Sequence, residues 1–232
     1  MIDRYKRQLY LLGQDSPLIL SDKTVMICGL GGVGGYIVEA LARVGVGRFV
    51  LIDNDCFDVS NLNRQLLCTT ENIGKSKISA AKERIHLINP KAVCFEEEVF
   101  LDKSNVPTIL KKYQADYVAD AIDFIEAKIA LAKHCELLNI PIIASMGTGN
   151  KLDPTAFECT DIYKTTVCPL AKAMRKMLKE EGVSQLRVVY SKEPSKSNGR
   201  TVNSVSFVPS VAGMIIAGEI IKDLCGIKKN TV

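Results

Sequence analysis

No run of apolar residues in this 232-residue chain reaches the roughly 18 that a membrane-spanning helix needs. The first residues, with Asp3, Arg4, Lys6 and Arg7, offer no apolar stretch for a secretory signal. A cytoplasmic protein without stable membrane insertion is therefore expected. Cysteine occurs at positions 28, 56, 68, 94, 135, 159, 168 and 225, yet no two are spaced C-x-x-C, so the paired-thiolate ligands of a common structural zinc site are missing. Most of these cysteines sit among apolar residues, where a reduced thiol behaves as a small core side chain. Histidine is scarce. His86 and His134 fall in helical stretches away from any cysteine pair and read as structural or surface residues.

What the chain does have is 47% hydrophobic residues, enough to fill the core of one α/β domain with a modest extension. Apolar runs alternate with helical periodicity, which predicts strands near 24–28, 49–53, 93–98, 116–119 and 141–145 and helices near 33–45, 76–88, 104–113 and 124–138. This alternation predicts a Rossmann-like, doubly wound, mainly parallel sheet, with ligands at the carboxyl ends of the strands. Glu96, Glu97 and Glu98 read as solvated charge at a strand edge.

At the first such end stands the glycine turn Gly29-Leu30-Gly31-Gly32-Val33-Gly34, between an apolar strand and a periodic helix. Glycine admits left-handed backbone and close approach of a phosphate, and the helix start adds unpaired N–H groups. Asp53, which closes the next apolar run nineteen residues after Gly34, can accept both ribose hydroxyls, and Asp55 follows it. By itself the turn also suits a nicotinamide or flavin. The downstream basic groups Arg64, Lys75 and Lys77 favour a polyphosphate, because lysine in a first helical turn opposes the helix dipole unless it meets an anion.

With these residues the chain resembles the ubiquitin-activating-like adenylyltransferases over nearly its whole length. Arg4-Tyr5-Lys6-Arg7-Gln8 looks like the family's N-terminal segment, Asn63-Arg64-Gln65 like its phosphate-binding arginine motif, and Lys77, thirteen residues on, like its phosphate-binding lysine. Asp120-Ala121-Ile122-Asp123 resembles the family's D-x-x-D. The resemblance implies ATP and magnesium as cofactors, with Asp123 near the metal and the α-phosphate. It also implies a homodimer in which Arg7 reaches the neighbouring subunit's nucleotide, so that the catalytic set is Arg7, Arg64, Lys77 and Asp123. Gly29, Gly31, Gly32, Gly34, Asp53, Asp55, Asn61, Asn63 and Gln65 would complete the nucleotide site. A monovalent cation and a sulfur-relay protein are left open as further components.

The pattern changes after Gly147-Thr148-Gly149-Asn150, which divides the chain into an ATP-binding portion, 1–150, and a C-terminal α+β extension, 151–232, packed on the same domain. A helix is expected from Pro169 to before Gly182, with Leu170, Ala173, Met174, Met177 and Leu178 on its apolar face. Lys172, Arg175, Lys176 and Lys179 lie off that face, and residues 161–200 carry nine basic and four acidic side chains, a local +5. That asymmetry fits an anionic macromolecule as well as a solvated helix face followed by a polar loop, 191–200. A closing helix is expected over 211–224, with Gly213 and Gly218 allowing close packing.

The missing zinc pairs, the segment Ile162–Lys172 and the ending Ser206-Phe207-Val208-Pro209-Ser210 look most like the tRNA threonylcarbamoyladenosine dehydratases. That likeness implies adenylation of a threonyl carboxylate on modified tRNA and ring closure with release of AMP. The alternative is adenylation of the C-terminal glycine of a ubiquitin-like sulfur carrier. Cys168, ahead of Pro169 at a helix start, would then be the best thiol for a transfer step.

Overall fold

The computed structural model describes residues 2–196 and 202–227. Two short helices, α1 (Lys6–Leu12) and α2 (Ser16–Ser21), precede β1 (Thr24–Cys28). Then follow α3 (Gly34–Val44), β2 (Arg48–Ile52), α4 (Lys77–Ile88), β3 (Val93–Glu97), α5 (Val106–Tyr113), β4 (Tyr117–Asp120), α6 (Ile125–Leu138) and β5 (Ile142–Ser145). The chain ends with β6 (Phe157–Asp161), α7 (Pro169–Glu180), β7 (Arg187–Ser191) and α8 (Phe207–Leu224).

The strands form one sheet in the order β3-β2-β1-β4-β5-β7-β6, parallel throughout except for β6, which runs antiparallel to β7. A parallel sheet needs crossovers that cover both faces, so its inner strands are buried on both faces and mostly apolar. All five residues of β1 are buried. Val25 and Ile27 point into a layer shared with α3, α4 and α8, whereas Met26 and Cys28 point into the opposite layer with α5 and α6. β3 is one edge of the sheet; at its acidic end Glu96 and Glu98 are exposed as expected, Glu96 pairing with Lys82 at 2.5 Å, whereas Glu97 is largely covered and pairs with Lys112 at 2.5 Å. His86 is structural, its Nε2 lying 3.1 Å from the Ala92 carbonyl.

Residues after 150 do more than pack on the sheet, since β7 pairs with β5 and β6 extends it. Neither strand nor α1 and α2 were marked by the periodicity. α1 buries no residue at all, so it has no amphipathic signal to read. α8 begins four residues before the expected 211, because Pro209 is tolerated in a first helical turn. Gly213 is required where α8 crosses α3: a Cβ there would lie 2.5 Å from the Val33 carbonyl oxygen and 2.9 Å from the Tyr36 Cβ. Gly218 faces open space and has no such role.

α7 matches its expected span, but its face is rotated. Ala171, Met174 and Leu178 are buried and Ala173 is exposed. Arg175 is also not a free cation, since its Nη1 donates to the Thr165 carbonyl (3.1 Å) and to the Thr165 hydroxyl. Of the polar loop expected over 191–200, residues 197–200 lie outside the described residues. Among those described, no helix is long and apolar enough to cross a membrane.

Candidate active site

The carboxyl ends of β1, β2 and β4 converge on a cleft of about 520 Å³. Its floor is the glycine turn. Gly29 has φ +88°, and a Cβ on it would lie 2.8 Å from the Ala121 carbonyl oxygen; one on Gly34 would lie 1.8 Å from the Gly29 oxygen. The fold itself therefore requires glycine at both positions. Gly31 and Gly32 line the cleft directly, and the first turn of α3 has no side-chain cap, its Gly35 and Tyr36 amides donating to the Gly31 and Val33 carbonyls at 3.1 Å each.

Asp53 closes β2 with both carboxylate oxygens engaged. Oδ2 accepts from the Leu30 amide (2.6 Å) and Oδ1 from the Asp55 amide (2.9 Å). These bonds tie the glycine turn to the second strand end. Lys77, at the start of α4, is only 6% exposed, and its Nζ lies 2.7 Å from Asp55 Oδ2 and 3.9 Å from Asp53 Oδ1. Arg64 lines the cleft while its Nη1 donates to the Ser60 carbonyl and Asn63 Oδ1, each at 2.9 Å. Asn61 serves a local purpose: its Oδ1 accepts from the Asp58 amide (3.1 Å), and Asp58 accepts from Ser60 (2.8 Å), a reciprocal cap that shapes the approach to Arg64. The backbone and hydroxyl of Ser60 hold the Asp58 carboxyl below its usual range. Gln65 is buried on the cleft wall, and its Oε1 has no hydrogen-bond partner among the described residues, so a ligand hydroxyl or amine can donate to it.

The two aspartates of the D-x-x-D segment part company. Asp120 is fully buried and paired at 2.9 Å with the equally buried Lys128, whose Nζ also donates to the Ile122 carbonyl (3.2 Å). Burial raises the Asp120 carboxyl above its usual range, and Lys128 opposes that rise. Burial, with Asp120 adding to it, pushes the adjoining Cys28 thiol well up. Asp123 is exposed and lines the cleft. Arg7 is exposed on α1 and does not line this cleft.

Several cleft residues were not expected to belong to the site. Val99, Phe100, Leu101, Ile122 and Phe124 form an apolar wall beyond β3 and β4, and the rings of Phe100 and Phe124 sit 5.1 Å apart. Thr148, Ser204 and Pro209 approach from the C-terminal half. Exposed aromatics in adjacent loops were the available signal for the first group. In the second, Thr148 and Pro209 lie in segments the sequence singled out for other reasons, and nothing marked Ser204. Cys168 is buried, 2% exposed, and does not reach the cleft. No group of three or more metal-ligating side chains occurs among the described residues.

Such a floor, carboxylate and pair of cations around one cleft define a nucleotide-binding protein of the Rossmann-like class. The chain belongs to the ThiF family, whose model matches residues 5–232. It is 37% identical to the tRNA threonylcarbamoyladenosine dehydratase of Bacillus subtilis, over 97% of this chain and 95% of that one. The dehydratase of Escherichia coli is 37% identical over 74% of this chain and 63% of its own. The crystal structure of the E. coli dehydratase in complex with ATP superposes with a TM-score of 0.91 and 31% identity, covering 97% of this chain and 95% of that one.

Proposed function

We propose that the protein is an ATP-dependent tRNA threonylcarbamoyladenosine dehydratase. It would adenylate the threonyl carboxylate of the modified adenosine and let the modification close on itself. The observation that carries this reading is the union of the glycine turn, Asp53, Arg64, Lys77 and Asp123 around one cleft in a chain that matches the Bacillus subtilis dehydratase almost end to end. In the first step a carboxylate oxygen forms a bond to the α-phosphorus of ATP and the bond to the β-phosphate breaks, releasing pyrophosphate. In the second the ureido group attacks the activated carbonyl carbon, loses its proton to solvent, closes the ring and expels AMP.

A carboxylate is nucleophilic already, so the protein's task is in-line placement and neutralisation of phosphate charge. Gly29, Gly31, Gly32 and Gly34 with the uncapped start of α3 are read as the phosphate cradle. Asp53 and Gln65 are read as ribose contacts, Asn61 as the support of the loop before Arg64, and the Phe100–Phe124 wall as the adenine side. Arg64 and Lys77 would bind the phosphates, with Asp55 releasing Lys77 as the nucleotide arrives. Magnesium fits the donor set, because it is usually held by one or two carboxylates plus phosphate oxygens, and Asp123 is an exposed carboxylate on the cleft wall. Its contribution when bound would be neutralisation of phosphate charge.

Residues 1–150 are read as the adenylation portion and 151–232 as the extension that completes the acceptor side. The partner is tRNA bearing threonylcarbamoyladenosine, approached by the exposed Lys172, Lys176 and Lys179 of α7. The active unit is read as a homodimer in which Arg7 serves the neighbouring cleft. Burial of Cys168 disfavours transfer of a sulfur carrier to that thiol. The deciding assay supplies ATP with either modified tRNA or a sulfur-carrier protein and follows pyrophosphate release together with the mass of the nucleoside. Release driven by tRNA, with the nucleoside lighter by one water, supports the reading; release driven only by the carrier protein overturns it.

A further inference from the structure

Asn63 stands beside the phosphate-site arginine, and both ends of its side-chain amide are occupied. Nδ2 donates to the Ser204 carbonyl at 2.9 Å, and Oδ1 accepts from Arg64 Nη1 at 2.9 Å. The first bond fixes which way the amide faces, since only its NH₂ end can donate to a carbonyl. The oxygen is thereby turned to Arg64. With Nη1 shared between Asn63 Oδ1 and the Ser60 carbonyl, one edge of the guanidinium is clamped. Nε and Nη2 have no protein partner among the described residues, and Arg64 lines the cleft, so that edge is left for a ligand.

Ser204 is itself held. The neighbouring Asn203 exchanges two bonds with Asn150: its amide donates to Asn150 Oδ1 (2.8 Å) and its carbonyl accepts from the Asn150 amide (2.7 Å). Gly149 lies against Val202 so closely that a Cβ would come within 2.3 Å of Val202 Cγ1. The anchor that orients Arg64 therefore comes from 141 residues further along the chain, fixed by the loop after β5.

We propose that Asn63 is a positioning residue, not a nucleotide contact: it locks the Arg64 guanidinium in its phosphate-facing orientation by bracing it against Ser204. This inference rests on Arg64 being the phosphate contact. An arginine has many rotamers, and misplacement of a charge-stabilising group by about 1 Å can cost on the order of 100-fold in rate.

The test is a double-mutant cycle on single-turnover pyrophosphate release with modified tRNA. Asn63→Ala should slow release about 10- to 100-fold while leaving the KM for ATP within about twofold. If Asn63 acts through Arg64, the pair Asn63→Ala/Arg64→Ala should be no slower than Arg64→Ala alone, within about twofold. Asn63→Leu, similar in volume and without polar atoms, should repeat the result should the alanine variant fold poorly. Multiplicative losses, or a KM for ATP that rises as far as the rate falls, overturn the inference while the Arg64 assignment stands. Normal turnover by Arg64→Ala overturns that assignment and the inference together.

Discussion

Asp120 and Lys128 form an ion pair of 2.9 Å in which neither side chain has any exposure to solvent. Lys128 ties the end of β4 to α6, and its second bond to the Ile122 carbonyl shapes the turn that presents Asp123 to the cleft. The pair is thus part of the scaffold behind the site, although Asp120 belongs to the same short motif as Asp123.

Removing one partner of such a pair leaves an uncompensated charge in the interior. Lys128→Met should lower stability by about 3–5 kcal/mol, whereas Lys128→Met with Asp120→Asn should recover much of the loss. Chemical denaturation of the two variants measures this. A single variant as stable as the parent would mean that Asp120 is neutral in the folded protein.

Arg64→Ala and Lys77→Ala should each slow ATP turnover about 10- to 150-fold with the fold retained, each removing a charge-assisted phosphate contact of about 1.5–3 kcal/mol. Asp123→Asn should still bind ATP, since the turn and Asp53 remain, yet release pyrophosphate slowly. Isothermal titration with a non-hydrolysable nucleotide separates binding from turnover, and near-normal release by Asp123→Asn would remove the metal role from it.

If Arg7 works across a dimer, mixed dimers of Arg7→Ala and Arg64→Ala subunits should regain one working site, because each chain supplies the group that the other lacks. Activity of verified heterodimers is the measurement. No recovery would place Arg7 outside the neighbouring cleft.

For α7 the structure divides the four cations. Lys172, Lys176 and Lys179 are exposed, whereas Arg175 holds Thr165. Replacing the three lysines by glutamine should raise the KM for modified tRNA and flatten its salt dependence by about 0.7–0.9 per lost phosphate contact, with ATP affinity unchanged. Arg175→Gln should instead reduce stability. An unchanged tRNA KM in the triple variant would leave α7 as a solvated face.

The sequence by itself determined β1, β2, β4 and β5 and the floor of the cleft. These rest on local rules: an inner parallel strand is buried on both faces, as in 24–28, and a turn in which a Cβ on Gly34 would lie 1.8 Å from the Gly29 oxygen admits no side chain there. Gly29 and Asp53 were legible from their places at strand ends, whereas the roles of Arg64, Lys77 and Asp123 came with the family resemblance, and the structure brings all five to one cleft. What only the tertiary structure decided are relationships between distant segments. That Asp120 is buried and Asp123 exposed depends on a lysine one helix away; that Arg175 is spent on Thr165 depends on where α7 docks; that Ser204 braces Asn63 depends on the chain returning after β7. Periodicity along a chain reports how a segment meets solvent or core, but a hydrogen bond across 141 residues leaves no local trace in either partner.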